Sequence, residues 1–277
     1  MKRKKLIACL CGSFLLGAFL YWQNNGLMLT KMTYQGEIPA GFDGFRILHL
    51  SDLQNKVFGR KQKPLLKRIE ASAPDIIVLT GDLLDRHKGR TDVDAAMSFV
   101  YEIMKIAPVY FVSGNHEHQS GVWEVLLEEL YAAGVKVLDN GKSILERNGD
   151  TITLLGLEDK KVNRYYDKLL HILMQGQGGF HILLSHRPEL FETYVKENVD
   201  LVFSGHAHGG QIVIPFFRKG IFSPHQGFFP KYTEGMYEKD GTVMVVSRGL
   251  GNSGFPLRIF NRPELIELTL RKAQPLA

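Results

Sequence analysis

Asp52, Asp82, Asn115, His186, His206 and His208 share one context. Each closely follows a short, largely apolar run. The runs are Ile47-Leu48-His49-Leu50-Ser51, Ile76-Ile77-Val78-Leu79-Thr80-Gly81, Val109-Tyr110-Phe111-Val112, Ile182-Leu183-Leu184-Ser185 and Leu201-Val202-Phe203-Ser204. Two carboxylates, three imidazoles and one amide suit two divalent cations of borderline N/O preference: Mn, Fe, Zn or Co. A carboxylate can bridge two cations through its two oxygens, and Asp82 is the natural bridge. Such a pair, about 3.5–4 Å apart, generates hydroxide at neutral pH and clamps both oxygens of a phosphoryl displacement. His116 and Asp85 stand beside this set. The only cysteines, Cys9 and Cys11, lie in the N-terminal apolar run, so the body offers no thiolate ligand and no disulfide.

Delivering these residues to one place requires strands that end on one side. Apolar runs without alternation read as strands buried on both faces, and ligands gather at the carboxyl ends of such strands. The pattern predicts strands at Phe45–Ser51, Asp75–Thr80, Val109–Ser113, His181–Ser185 and Asp200–Ser204. Helices are predicted between them at Lys61–Ala73, Asp92–Ile106, Val122–Ala133, Tyr165–Met174 and Pro188–Val195. Short strands with tight turns follow at Val135–Leu138, Ser143–Glu146 and Thr151–Leu155. Gln211–Pro215, Met236–Tyr237, Thr242–Ser247 and Glu264–Leu270 make the remainder strand-rich. The reading is an α/β domain with two sheets packed face to face and helices outside.

The formal charge of +5 first suggests a nucleic-acid partner. Lys2, Arg3, Lys4 and Lys5 account for four of the 34 basic residues, leaving 30 against 29 acidic ones. The body is near neutral, and no nucleic-acid field is evident. After the basic start, Leu6 to Trp22 carries no charge, which is long enough for a short span. Tyr21-Trp22 resembles an aromatic membrane boundary. The reading is an anchor over residues 1–25, a linker with at most one edge strand over 26–44, and the domain over 45–277. Four positive charges before the span place the N-terminus inside and the body outside the cell membrane. A cleaved signal peptide followed by secretion is the alternative.

Asp52-Leu53-Gln54, Gly81-Asp82-Leu83-Leu84-Asp85, Gly114-Asn115-His116-Glu117, Ser185-His186 and Gly205-His206-Ala207-His208 resemble the ordered blocks of the calcineurin-like metallophosphoesterases. Gly209-Gly210-Gln211, Gln226 to Tyr232 and Ser247-Arg248-Gly249-Leu250-Gly251 resemble its bacterial membrane-associated branch. The resemblance implies a four-layer α/β/β/α sandwich with two mixed sheets and a metal-dependent phosphoester hydrolase. It implies a first metal held by Asp52, Gln54, Asp82 and His208, and a second by Asp82, Asn115, His186 and His206, with Mn favoured. It makes His116 the catalytic residue beside the metals and gives Asp85 the task of orienting the Asp82 loop. Phosphodiesters, pyrophosphates and lipid-linked phosphates are the implied substrates.

Gln54 departs from the family's pattern, which has His there. Its amide oxygen is a harder and weaker ligand than imidazole nitrogen. Three consequences are open: an equivalent ligand, a metal retuned toward Mn or Mg, or a phosphate-binding module with little or no turnover. His49, His171 and His181 read as structural, and His87 and His118 as exposed flanks. Asp159, Lys160 and Lys161 read as a solvated loop. Arg248 either steadies a sheet end or contacts phosphate. Phe216, Phe217, Phe228 and Phe229, beside Arg218, Lys219 and Lys231, form either a lip touching lipid or a lipid-like substrate, or a packed loop.

Overall fold

The computed structural model describes residues 2–87, 91–159, 165–176, 178–217, 219–252 and 254–273. Two six-stranded sheets carry the domain. The first is ordered β1 (Met28–Gly36), β16 (Glu264–Lys272), β2 (Arg46–Leu50), β3 (Ile76–Leu79), β4 (Val109–Phe111) and β5 (Lys136–Val137). The second is ordered β14 (Gly235–Lys239), β15 (Thr242–Val246), β9 (Leu201–Ser204), β8 (His181–Ser185), β7 (Asp150–Leu157) and β6 (Gly141–Arg147). Both sheets are mixed. Strands β2, β3, β4 and β5 run parallel, as do β7, β8, β9 and β15, while β16 pairs antiparallel with β2. Two small hairpins, β10 (Val213–Ile214) with β11 (Lys219–Gly220) and β12 (Phe222–Ser223) with β13 (Gly227–Phe228), stand apart from the sheets.

Three apolar layers explain why the strands read as unbroken hydrophobic runs. Ile47, Val78 and Tyr110 meet Ile182, Leu184 and Phe203 between the sheets. Leu48, Ile77 and Phe111 face α2 (Lys63–Ser72), α3 (Val93–Met104) and α5 (Trp123–Ala132). Leu183, Val202 and Met244 face α6 (Tyr166–Met174) and α7 (Phe191–Lys196). The central strands are therefore covered on both faces, and the predicted four-layer α/β/β/α sandwich is what forms.

Boundaries differ where local conformation wins over periodicity. Helix α2 begins at Lys63 rather than Lys61 because Lys61 and Gln62 are left-handed, with φ of 52° and 57°. Asp92 caps α3 from outside, accepting the Ala95 N–H at 2.8 Å. The segment from Pro188 divides into a 3₁₀ turn, Pro188–Leu190, and α7. The short helix α4 (Asn115–Gln119) was not foreseen.

Helix α1 (Lys2–Asn25) is long and apolar enough to cross a membrane. Residues 28–36, within the expected linker, form a full-length edge strand parallel to β16. The end of α1 is fastened to the domain. Asn24 Oδ1 accepts the Arg258 N–H at 2.9 Å, and Gln23 Oε1 accepts the Asn261 N–H at 3.3 Å.

Candidate metal centre

The carboxyl ends of β2, β3 and β4 meet those of β8 and β9 across the gap between sheets. Asp52 and Gln54 leave β2, Asp82 leaves β3, and Asn115 and His116 open α4 behind β4. His186 follows β8, and His206 and His208 follow β9. All eight side chains are buried. Asp52, Gln54, Asp82, His206 and His208 take φ between 49° and 63°, left-handed geometry that non-glycine residues rarely adopt. Such concentrated strain marks loops shaped to aim side chains. The neighbouring glycines are demanded by space: a Cβ at Gly114 would strike Asp82, and one at Gly205 would strike Ser51 and Asp52.

Two donor clusters share Asp82. One joins Asp82, His186 and His206; the other joins Asp52, Asp82 and His208. His186 Nε2 lies 3.4 Å from Asp82 Oδ2, and His208 Nε2 lies 3.3 Å from Asp52 Oδ1. His206 Nδ1 stands 3.0 Å from His186 Nε2. Gln54 Nε2 is 3.4 Å from Asp82 Oδ2 and 3.2 Å from His208 Nε2, and a half-turn of the amide would place its oxygen there instead. Asp52 Oδ1, Gln54 Oε1 and Asn115 Oδ1 are buried acceptors without a hydrogen-bond partner. Buried polar atoms are normally satisfied. Three unsatisfied oxygens within one ligand set fit a pair of divalent cations.

Outer contacts set the tautomers. His186 Nδ1 donates to the Thr80 carbonyl at 2.6 Å, which aims Nε2 at Asp82. His116 Nδ1 accepts the Arg86 N–H at 3.2 Å, so its proton sits on Nε2, 3.8 Å from Asp82 Oδ2. His206 Nε2 stands 2.8 Å from His225 Nδ1. A guanidinium nitrogen of Arg187 lies 3.3 Å from the same His206 Nε2.

The electrostatics match a cation site. Burial opposes charge on Asp82, but His186 and His116 beside it hold its carboxyl well below the usual carboxylate range. Burial and the Asp82 charge raise Asp52 to about 6, although His186 works against this. Burial disfavours a charged His186, yet Asp82 and Asp52 lift its pKa to about 10. Burial, then the charges of His186 and Arg187 for His206 and of Arg258 for His208, keep both imidazoles neutral, as nitrogen ligands must be.

Several supporting residues went unforeseen. Glu117, quoted only as part of its block, accepts the N–H groups of Asp82 at 2.8 Å, Leu84 at 3.1 Å and Gly114 at 2.7 Å. It ties the β3 loop to α4, the role expected of Asp85. Asp85 instead meets His87 Nδ1 at 2.5 Å and lies 3.8 Å from His116 Nδ1. Asp159 is not solvated: it is buried and holds Arg187 through Nε at 2.6 Å and a second nitrogen at 2.9 Å. Lys160 and Lys161 lie outside the described residues, as does Arg218. Arg258, fully buried, places a guanidinium nitrogen 3.4 Å from His208 Nδ1, and Asn261 Nδ2 donates to the His208 carbonyl at 2.7 Å.

The remaining residues fall outside the cluster. His49 is a sheet histidine whose Nε2 meets Thr80 Oγ1 at 2.7 Å. His171 pairs with Glu197 at 2.9 Å and His181 with Asp200 at 3.4 Å. His118 is half-buried against Trp123 and Ser113 rather than exposed. Arg248 meets Glu234 at 2.5 Å and Glu264 at 3.7 Å, steadying the start of β16.

A model of the calcineurin-like phosphoesterase family matches residues 45–210. YkuE of Bacillus subtilis, described as an uncharacterized metallophosphoesterase, is 31% identical over 98% of this chain and 98% of its own length. A Danio rerio protein, described as a transmembrane protein with metallophosphoesterase domain, is 28% identical over 86% of this chain, which spans 55% of that protein. The solved structure of TT1561 from Thermus thermophilus shares the fold, with a TM-score of 0.50 at 14% identity over 75% of this chain and 90% of that one. The chain belongs to the calcineurin-like phosphoesterase family.

Proposed function

We propose that the protein is a membrane-anchored phosphoester hydrolase working with two divalent cations, Mn favoured, on the outer side of the cell membrane. One observation carries the reading: two donor clusters share Asp82, and unsatisfied oxygens of Asp52, Gln54 and Asn115 are buried in the same ligand set. Asp52, Gln54, Asp82 and His208 would hold one cation, and Asp82, Asn115, His186 and His206 the other. Bound there, such a pair would supply an activated water as nucleophile and would withdraw charge from the phosphoryl oxygens.

The chain's own groups supply the rest. Asp82 spans both clusters and fixes their separation. Its backbone is pinned by Glu117, and its Oδ1 accepts the His116 N–H at 2.8 Å. His116 presents Nε2–H toward the cluster, where it would hydrogen-bond the leaving oxygen and stabilise the charge that develops as its bond to phosphorus breaks. Burial lowers the His116 pKa while Asp82 raises it, with a net fall that favours the neutral imidazole carrying its proton on Nε2. Candidate substrates are phosphodiesters, pyrophosphates and lipid-linked phosphates. The transmembrane relative and the basic flank of α1 support the membrane anchor and its orientation.

The test is hydrolysis of bis-p-nitrophenyl phosphate by the full chain, stripped of metal and then supplied with Mn, Fe, Zn or Co. Turnover restored by Mn is expected. No turnover with any of these ions overturns the enzyme reading and favours the phosphate-binding module that Gln54 would permit.

A further inference from the structure

The membrane helix and the domain meet at a depth that sequence alone does not reveal. Phe19 lies inside the apolar run, three residues before the Trp22 boundary and so about 4.5 Å deeper along the helix axis. Its ring packs on Phe260 of the domain, with centroids 5.5 Å apart. Arg262 places its guanidinium 4.4 Å from the centroid of the Trp22 ring. This is the pairing of an interfacial cation with an interfacial aromatic. Where α1 crosses a bilayer, the surface around Phe260 therefore sits at the headgroup level or below it.

Backbone pairing carries this surface on to the catalytic loops. Ile212 bridges Ile259, next to Phe260, and the Val213 N–H donates to the Ile259 carbonyl at 3.0 Å. The Ile221 N–H then donates to Ile212 at 2.9 Å, and the Phe229 N–H to Ile221 at 2.9 Å. These hairpins display Phe216, Phe217 and Phe228 at 95%, 73% and 74% exposure. Exposed aromatics on hairpins joined by backbone hydrogen bonds mark a surface fit for a partner. The loop that carries Phe228 also carries His225, whose Nδ1 meets His206 Nε2 at 2.8 Å. The aromatic surface and the metal ligands are thus parts of one loop system.

We propose that the hairpins of residues 212–217 and 219–229, with Phe260, form a lip seated in the bilayer surface, and that the site takes its phosphoester from the headgroup plane. The substrate class is then an amphipathic, lipid-linked phosphate ester. The substrate part rests on the phosphoesterase reading above, whereas the seating of the lip does not.

The test uses the full chain in vesicles. Phe217→Trp is compared with its parent, both retaining Trp22 and Trp123, and the added emission is followed with and without brominated phospholipid. The lip predicts blue-shifted added emission that the bromines quench. Added emission at the fully hydrated wavelength overturns the proposal. So does a blue shift without bromine quenching, since that reports burial against protein or a second copy of the chain. In a second arm, the Phe216→Ser/Phe217→Ser variant is given hexadecyl p-nitrophenyl phosphate in vesicles or bis-p-nitrophenyl phosphate in solution. The ratio of the two rates is expected to fall at least about tenfold, and an unchanged ratio overturns the substrate class. If the wild type hydrolyses neither ester, the phosphoesterase reading fails and takes the substrate class with it, while quenching still decides the lip.

Discussion

The carboxylate of Glu117 accepts the backbone N–H of Asp82 at 2.8 Å, so the shared residue of both donor clusters is held by a side chain from another strand end. Burial and the Asp82 charge push the Glu117 carboxyl up to about 8, while three backbone donors stabilise its ionised form. In Glu117→Gln, an amide N–H₂ would face one of these donors in a buried place. Leaving buried donors unsatisfied costs about 1–3 kcal/mol. Urea unfolding of the metal-free protein should show that loss, with weaker affinity for both cations. Unchanged stability and affinity would show that Asp82 holds its geometry without Glu117.

Gln54 offers an oxygen where the family's pattern has an imidazole nitrogen. Replacing it by His should favour Zn over Mn, because nitrogen suits the softer ion. Competition titrations should show the Zn-to-Mn affinity ratio rising by about tenfold, or ~1.4 kcal/mol. An unchanged ratio would mean that residue 54 does not bind metal.

His116 is expected to act on the reaction rather than on metal uptake. His116→Gln should lower kcat by about 10²–10⁴, with two cations still bound. Loss of a cation in that variant would make His116 a ligand instead of a hydrogen-bond donor to the reacting phosphate.

His49 gives a pH signature independent of the metals. Burial lowers its pKa from 6.5 to about 3 in the folded chain, whereas the unfolded chain protonates near 6.5. The unfolded state thus binds more protons between these values, and the His49 contribution is lost as pH falls through that window. The slope from one such group is at most ~1.4 kcal/mol per pH unit. Wild type should lose stability faster than His49→Gln between pH 6.5 and 5 in denaturant unfolding. Parallel losses would show that His49 takes up its proton in the folded state.

What could be read in advance was local. Apolar runs ending in Asp, Asn or His gave away the strands, their common direction and the ligands, because strand period and strand-end chemistry are written in adjacent residues. What could not be read was convergence. Asp159 and Arg187 are far apart in sequence, and only the packing of β7 beside β8 buries them together. Asp159 looked like a loop charge beside two lysines for that reason. His225 sits in an irregular hairpin with φ of 60°, where no periodicity points its ring at His206. Gln23 and Asn24 looked like the polar end of an anchor, and nothing local shows that they dock on Asn261 and Arg258. Glu117 was visible as a type in a motif, but its three backbone partners come from two separate loops.

The central claim is that one carboxylate serves two cations. The direct measurement is Mn content per chain, by mass spectrometry, of the full-length wild type and of Asp82→Asn after equilibration with Mn and removal of excess. Two Mn per wild-type chain and none in the variant is the predicted result. A wild type holding fewer than two, or a variant that keeps even one, would contradict the shared site.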